Sequence, residues 1–265
     1  MQTYIDIGLN LTDKQFAKDR DEVIQRALNS GVRQMIVTGT NVKESHEALG
    51  LAKKYPGVLY ATAGIHPHNA KQFQTDSIDE LKKLAENNEV VAIGECGLDF
   101  NRMFSPQEIQ EECFEAQLEL AKNLSMPLFL HVRDAHERFC EIFSNYRELA
   151  GNAVVHCFTG TPEEVKTYLS MGFYIGVTGW ICDERRGDSL REAVRYIPLD
   201  RLLIETDAPY LLPRNLEKKP KNRRNEPAYL PHIAREIAKY MCVTEEEVIR
   251  HSTENARKLF RLAEK

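Results

Sequence analysis

The sequence predicts a (β/α)₈ barrel formed by the whole chain, residues 1–265. Eight apolar runs of strand length alternate with amphipathic stretches of helix length, which is typical of a parallel sheet covered by helices. No linker rich in Pro, Gly or Ser divides the chain, and its length suits one barrel. An open doubly wound sheet is the alternative. The barrel is favoured because closure brings the reactive strand ends to one mouth.

Each strand is predicted from its apolar run and each helix from its end signals. The strands are expected at residues 4–7, 34–38, 59–63, 90–94, 128–131, 153–156, 173–177 and 202–206. Polar side chains that can cap a helix start are Thr12 or Asp13, Asn41 and Thr161. Residues that mark helix ends are Gly31, Pro56 and Gly172. Two last helices, near 229–241 and 244–262, are expected to pack against the outside of the barrel.

The composition is that of an ordinary globular protein with a sizeable core, since 42% of the residues are hydrophobic and 28% are charged. A net charge of −5 does not indicate a nucleic-acid binder, so such a role must depend on local charge. The six cysteines include no Cys-x-x-Cys pair, and free thiols fit a reducing compartment. Neither a signal peptide nor a membrane-spanning stretch is present. We therefore expect a cytoplasmic monomer without membrane contact.

Four of the apolar runs end at a side chain that can bind a metal. These side chains are Glu95, His131, His156 and Asp207. The carboxyl ends of barrel strands share one face, so the four residues are expected to form one site. A single His at a strand end is usually a hydrogen-bonded core residue, but four such endings outweigh that interpretation. Imidazole and carboxylate together bind Zn, Mn, Fe or Co well, whereas Mg alone usually takes oxygen, so the residues leave the metal open.

The four residues are expected to have different roles. Glu95, His131 and His156 are predicted metal ligands. Asp207 is either a fourth ligand or the catalytic base that orients and deprotonates the attacking water. A helix N-cap is the structural alternative for Asp207, although its strand-end position favours catalysis. Glu205 points the same way one layer deeper and needs a buried partner, and no role is assigned to it.

Several further residues are candidates for holding an anionic substrate. His66 follows the third strand and suits a phosphate contact or a position behind the metal ligands, and Arg133 follows His131. Segment 214–225 carries six cations and one anion, so it is strongly basic within an acidic protein. A charge run is usually a solvated loop, but this one follows the strand that carries Asp207. The basic residues predicted to contact substrate are Lys218, Lys219, Lys221, Arg223 and Arg224, with Arg185 and Arg186 after strand 7.

Two other residue types near the predicted site have competing interpretations. Trp180, the only tryptophan, either stacks on a base or packs at the rim. Cys96 and Cys157 each adjoin a predicted ligand, so a thiol nucleophile has to be considered. Adjacent strand positions face opposite sides, which predicts that both sulfurs point into the helical shell as buried apolar groups.

Four sequence phrases in order resemble the TatD family of metal-dependent nucleases. They are GECGLDF at 94–100, LHVRD at 130–134, VHCFTG at 155–160 and ETDAPYL at 205–211, and the resemblance covers nearly the whole chain. It implies a barrel of the amidohydrolase type with a divalent metal, usually Mg²⁺, that hydrolyses DNA or RNA phosphodiesters. Carried across, Glu95, His131 and His156 match metal ligands, and Asp207 matches the catalytic aspartate. For the branch closest to this chain, the resemblance implies exonuclease action from the 3′ end of single strands and a part in DNA repair.

The chain departs from the family at strand 1. Many members have two His ligands there, in Asp-x-His-x-His, where this chain has Gly8 and Asn10. We therefore expect one tightly held ion, Mg²⁺ with Mn²⁺ or Zn²⁺ as alternatives, and a second ion that is weak or arrives with substrate. Two other functions stay open: an amidohydrolase that acts on a small amide, lactone or ester, and a nucleic-acid-binding module whose metal site has decayed.

Overall fold

A computed structural model describes residues 3–264, and its strands form one parallel sheet in chain order. The strands are β1 (Tyr4–Leu9), β2 (Val32–Val37), β3 (Leu59–Ala63), β4 (Val90–Asp99), β5 (Leu128–Arg133), β6 (Ala153–Val155), β7 (Tyr174–Val177) and β8 (Leu202–Ile204). The α-helices are α1 (Arg20–Asn29), α2 (Val42–Lys54), α3 (Ser77–Ala85), α4 (Gln107–Leu124), α5 (His136–Phe143), α6 (Pro162–Met171), α7 (Asp188–Ala193), α8 (Leu230–Met241) and α9 (Glu245–Phe260). Strands and helices alternate as predicted.

Hydrogen bonds between β1 and the segment that follows β8 close the sheet. The backbone N–H of Asp207 donates to the carbonyl of Gly8 at 2.9 Å, and that of Asn10 donates to the carbonyl of Ala208 at 2.7 Å. The buried carboxyl group of Asp6 accepts the backbone N–H of Thr206 at 2.9 Å and also bonds its hydroxyl group. The predicted (β/α)₈ barrel is therefore confirmed.

The core has two layers, and the C-terminal helix belongs to the inner one. Inward side chains of the strands, such as Ile7, Phe129 and Leu203, form a cluster inside the barrel. Leu259 and Phe260 at the end of α9 join that cluster, so α9 closes the barrel at the amino end of the strands. The prediction that this helix packs on the outside was wrong, because its last apolar side chains fill an opening that the strands alone leave uncovered.

Two of the predicted helix starts are confirmed by their caps. The Asn41 side chain accepts the N–H of Glu44 at the start of α2, and Thr161 forms a capping box with Glu164 at the start of α6. The first helix begins at Arg20, later than predicted, because Asp13 caps a separate short 3₁₀ turn. Among residues 3–264, every helix is too short or too polar to cross a membrane.

The Asp6 contact predicts a pH dependence of stability. Burial raises the pKa of Asp6 to about 8, although the Thr206 hydrogen bonds oppose that shift. An unfolded Asp loses its proton near pH 4, so between about pH 4 and pH 8 the folded state binds the extra proton and stability falls as pH rises. Each pH unit in this window costs at most about 1.4 kcal/mol.

An Asp6→Asn variant cannot titrate and keeps the shape of the side chain. Urea unfolding of both proteins at pH 5, 6.5 and 8 should show the wild-type free energy of unfolding falling relative to the variant. A difference that stays constant over this range would show that Asp6 does not titrate in this window.

Candidate functional site: a histidine and carboxylate cluster at the barrel mouth

The carboxyl ends of the strands open into a cavity of about 890 Å³. Glu95, His131, His156 and Asp207 all line it, as does His66. The loops after β4, β7 and β8 supply the aromatic residues of its wall, which are Phe104, Trp180 and Tyr210. The structure therefore brings together the four residues that the strand ends predicted.

Glu95 occupies a bulge in β4. In the pairing of β4 with β5, Gly94 lies opposite Phe129 and Cys96 lies opposite Leu130, so Glu95 is the extra residue. The N–H of Glu95 donates instead to the carbonyl of Gly39 at 2.9 Å. Gly94 has a φ of +136°, and a Cβ there would lie 2.2 Å from the Phe129 carbonyl oxygen, so this bend requires glycine. A bulge re-aims a side chain, which here directs the Glu95 carboxylate into the cavity.

Three imidazoles surround one oxygen of that carboxylate. Glu95 Oε1 lies 2.7 Å from His156 Nε2, 3.0 Å from His131 Nδ1 and 3.2 Å from His66 Nε2. His66 Nε2 and His131 Nδ1 are themselves 3.3 Å apart. The ligand atoms of His66, Glu95 and His131 all lie within 4.8 Å of one another, which is close enough for one ion. His66 was predicted as a phosphate contact or a residue behind the ligands, and its geometry makes it a candidate ligand instead.

Two further carboxylates bond the outer nitrogens of these histidines. Asp99 Oδ2 lies 3.1 Å from His131 Nε2, and Glu205 Oε2 lies 3.3 Å from His156 Nδ1. Metal-binding imidazoles commonly donate their second N–H to a carboxylate, which fixes the tautomer and the ring orientation. The donor set and its supporting carboxylates therefore fit a divalent cation. The predicted fourth strand ended at residue 94, five residues before Asp99, which is the last residue of β4.

Burial and charge shift the pKa values of the cluster in opposite directions. Burial favours protonated Glu95, but the imidazoles of His156 and His66 outweigh it and hold the Glu95 pKa well below its usual range. Burial opposes charge on His156, but Glu95 and Glu205 raise its pKa well above the usual value. Burial also lowers the pKa of His66 to about 4. The cluster thus favours an ionised Glu95 and a neutral His66, the forms that bind a metal, whereas a cation that binds His156 has to displace its proton.

Asp207 lines the same cavity as this cluster. Its Oδ1 accepts a hydrogen bond from Asn10 Nδ2 at 3.0 Å, and its backbone N–H is held by Gly8. Burial raises the pKa of Asp207 to about 7, with His156 opposing the shift. Its φ of +55° is a left-handed conformation, and its side chain caps none of the described helices. Asn10, which stands where many family members have a histidine ligand, positions this carboxylate.

The missing histidine at position 8 is explained by Glu205. A Cβ on Gly8 would lie 2.4 Å from Glu205 Oε2, and one on Gly176 would lie 2.5 Å from Glu205 Oε1. The two glycines therefore leave room for a fully buried carboxylate between β1 and β7. Glu205 uses that position to bond His156 Nδ1 and to accept the N–H of Cys157 at 2.6 Å. His156 is thus a buried partner for Glu205, which the sequence indicated was needed but did not identify.

The predicted substrate contacts fall into two groups. Arg133 and Arg186 line the cavity, and their guanidinium groups lie 5.3 and 4.2 Å from the centre of the Trp180 ring. Arg185 is outside the cavity lining, and both Arg185 and Arg186 bond the carboxylate of Asp183. Every residue of the basic segment 214–225 is described, and none of its cations lines the cavity.

Within that segment, Arg214 and Arg224 form ion pairs, whereas the remaining cations are exposed. Arg224 is buried and donates to Asp19 and Glu226 at 2.7 Å each, so its charge is already used inside the protein. Arg214 pairs with Glu184 at 2.9 Å. The other predicted contacts project from the surface away from the cavity lining and are Lys218, Lys219, Lys221 and Arg223. Arg224 therefore forms structural ion pairs, whereas it was predicted to contact substrate.

The two cysteines next to the ligands have different environments. Cys96 is buried in the shell between strands and helices, as predicted. Cys157 lines the cavity, because its φ of +45° breaks the strand alternation directly after His156. The prediction that the Cys157 sulfur points into the helical shell was therefore wrong. Burial raises the pKa of its thiol well above the usual value, so it remains protonated and is not an activated nucleophile.

Comparisons with known proteins agree with this architecture. The family model described as TatD related DNase matches residues 5–261. A protein named 3′-5′ ssDNA/RNA exonuclease TatD from Pantoea vagans is 53% identical over 97% of this chain and 99% of its own length. The protein of the same name from Erwinia billingiae is 54% identical over 97% of this chain and 98% of its own.

Solved structures give the same result. The crystal structure of YJJV, a TatD homologue from Escherichia coli K12, superposes with a TM-score of 0.89 at 28% identity and covers 98% of each chain. A TatD family hydrolase from Entamoeba histolytica superposes with a TM-score of 0.86 at 31% identity over 99% of each chain. The resemblance that the sequence phrases indicated is confirmed.

The space between Gly8 and Glu205 can be tested directly. A Gly8→Ala substitution places a methyl group where Glu205 Oε2 now lies and should displace that carboxylate from His156. Losing such a supporting carboxylate typically lowers metal affinity about 10- to 100-fold. Titration calorimetry with Mn²⁺ measures the effect, and circular dichroism of the variant checks that the fold is retained.

Gly50→Ala is the matched control, because Gly50 lies in α2 with open space around its Cβ position. It should bind Mn²⁺ as the wild type does and be slightly more stable. Wild-type Mn²⁺ affinity in Gly8→Ala would rule out a supporting role for Glu205.

Proposed function

The chain belongs to the family of TatD-related DNases, and from this we propose that it is a metal-dependent nuclease that removes nucleotides from the 3′ ends of single-stranded DNA and RNA. The observation that carries the proposal is the cluster of three imidazoles around Glu95, facing Asp207 in an open cavity. A metal site together with a base for water is an arrangement that supports phosphodiester hydrolysis. The cationic and aromatic side chains at the rim of the same cavity suit a nucleic-acid strand.

In this mechanism Glu95, His66, His131 and His156 would hold a divalent cation, with Asp207 beside them. A divalent cation bound there supplies stabilisation of the charge that develops on the phosphoryl oxygens and lowers the pKa of water. Asp207 accepts the proton of the attacking water. Asn10 holds Oδ1 of Asp207, which leaves Oδ2 as the oxygen that receives the proton.

Arg133 binds a phosphate oxygen of the substrate. It lies two residues after His131 on β5, so both side chains point to the same face. Its nearest carboxylate is Asp134, with 4.0 Å between Nε and Oδ1, so the guanidinium keeps its donors for a ligand. Guanidinium and phosphate form paired charge-assisted hydrogen bonds.

We propose Mg²⁺ as the working ion, because Mg²⁺ commonly binds through a carboxylate and the phosphates of the substrate. The three imidazoles favour Mn²⁺ or Zn²⁺ on donor chemistry alone, so the assay compares all three ions. All six cysteines are unpaired thiols, which supports a reducing cytoplasm as the working compartment. We propose that the protein acts there as a monomer.

The ligand assignment predicts a loss of activity without a loss of fold. Glu95→Ala, His131→Ala and Asp207→Ala should each lower kcat/KM on an end-labelled single-stranded oligonucleotide by about 100-fold or more. His46→Ala is the control, because this histidine lies on the outer surface beside Glu80. Wild-type rates in His131→Ala at saturating Mg²⁺ and Mn²⁺ would mean that the metal site has been assigned to the wrong residues.

Two groups of cations should affect substrates of different length. Arg133→Ala should raise KM for every substrate, including a dinucleotide, because it acts beside the scissile phosphate. We propose that Lys218, Lys219 and Lys221 contact phosphates farther along the strand, so their triple Ala variant should raise KM for long oligonucleotides and spare the dinucleotide. Each lost contact to a single strand should flatten the plot of log K against log [salt] by about 0.7. An unchanged slope in the triple variant would identify the segment as a solvated loop.

A further inference from the structure

Two exposed aromatic rings stand on opposite sides of the cavity. Phe104 is 53% exposed and Tyr210 is 49% exposed, and both line the cavity. Single exposed apolar side chains are common on proteins, but these two share a cavity with the metal-ligand cluster. Phe104 lies in the loop after β4 and Tyr210 in the segment after β8. Strands four apart in an eight-stranded barrel are diametrically opposed, so the two rings come from segments on opposite sides of the mouth.

Each ring is connected by direct contacts to a different part of the proposed reaction centre. The Phe104 ring packs edge-to-face on His68 with 4.8 Å between ring centres, and His68 packs on His66 at 4.3 Å. Tyr210 follows Asp207 in a tight turn, in which its N–H donates to the Asp207 carbonyl at 3.0 Å. The ligand cluster and Asp207 therefore lie between the two rings.

The backbone beneath each ring is fixed by a fully buried polar residue. Ser105, next to Phe104, donates its hydroxyl to the His68 carbonyl at 3.2 Å, and Gln110 Nε2 donates to the Ser105 carbonyl at 2.9 Å. Asn225 Nδ2 donates to the carbonyl of Tyr210 at 2.7 Å and to that of Thr206 at 2.9 Å. The rings are thus exposed on rigid supports, which lowers the entropy cost of binding a flat ligand.

We propose that Phe104 and Tyr210 form an aromatic clamp, in which each ring stacks on one of the two nucleobases that flank the scissile phosphate. This proposal rests on the proposed nuclease function and adds a site for the bases. Stacking suits every base, so the clamp binds any sequence, but it requires unpaired bases and therefore favours single strands over a duplex. Arg133 and Arg186, on the wall between the rings, are placed for the phosphates.

The test compares ring variants on substrates that lack one base. Phe104→Ala and Tyr210→Ala should each raise KM for an intact single-stranded oligonucleotide about 5- to 100-fold, the range found for base stacking on aromatic residues. Phe104→Trp and Tyr210→Phe keep a ring and should stay close to wild type, although the second loses the 2.7 Å bond to Asp13. Met103→Ala is the matched control, because Met103 is 44% exposed in the same loop but does not line the cavity.

The same enzymes are then measured on oligonucleotides with an abasic residue at the terminal or the penultimate position. One abasic position should abolish the effect of Phe104→Ala and the other that of Tyr210→Ala. An equal loss on intact and abasic substrates would overturn the clamp, as would one position that abolishes both effects. Ring variants that behave like Met103→Ala would overturn it as well.

Binding in EDTA separates this proposal from the proposed function. The fluorescence of 2-aminopurine, placed at the terminal or the penultimate position, is quenched when this base stacks on a ring, and the measurement needs neither metal nor cleavage. At each position the quenching should weaken in the variant that lacks the ring for that base. If the wild type digests no oligonucleotide with any ion but the quenching pattern holds, the nuclease function fails and the clamp stands. If the wild type digests strands and the ring variants quench as it does, only the clamp fails.

Discussion

The site depends on one carboxylate oxygen, Glu95 Oε1, which three imidazoles from three different strand ends approach within 3.2 Å. An isolated charge at this depth would be costly, so its position requires the surrounding imidazoles. The imidazoles in turn need fixed orientations, which Asp99 gives to His131 and Glu205 gives to His156 through their second nitrogens. His66 accepts the backbone N–H of His68 with its second nitrogen. A change at any one of these residues therefore alters the positions of the others, which is why the site has to be considered as one network rather than as separate ligands.

The barrel closure and the site share the same residues. Gly8 accepts the N–H of Asp207 across the β1 and β8 edges, and its missing side chain makes room for Glu205. Asn10, two residues later, joins the two edges through its backbone and holds Asp207 through its side chain. A larger residue at position 8 would disturb the closure, the support of His156 and the position of Asp207 together. The departure from the family pattern on strand 1 is therefore matched by a compensating arrangement in this chain.

The sequence predicted the parts of the site that follow from strand ends. Glu95, His131, His156 and Asp207 terminate apolar runs, and the geometry of a parallel barrel brings such residues together. It did not predict the bulge at Glu95, because a bulge depends on how β4 pairs with β5 and has only the glycines at 94 and 97 as a local signal. The continuation of β4 to Asp99 was missed for the same reason. The sequence did not predict the ion pairs either, because partners such as Arg224 and Asp19 lie 205 residues apart in the chain.

The base of the cavity is acidic, whereas the part of its wall that follows β4, β5 and β7 carries arginines, and this local positive charge suits a polyanion on a protein with a net charge of −5. The carboxylates of Glu95, Asp99 and Glu205 are buried at the base, where they serve the imidazoles. The cations Arg102, Arg133 and Arg186 lie nearer the solvent on the cavity wall. A phosphate that approaches this part of the wall meets the arginines, whose field at short range outweighs the distant net charge, whereas Asp13, Glu44 and Glu47 line the cavity elsewhere. The buried carboxylates repel a phosphate that moves deeper unless a cation neutralises them. Substrate binding and metal binding are therefore expected to be mutually dependent in this cavity, each stronger in the presence of the other.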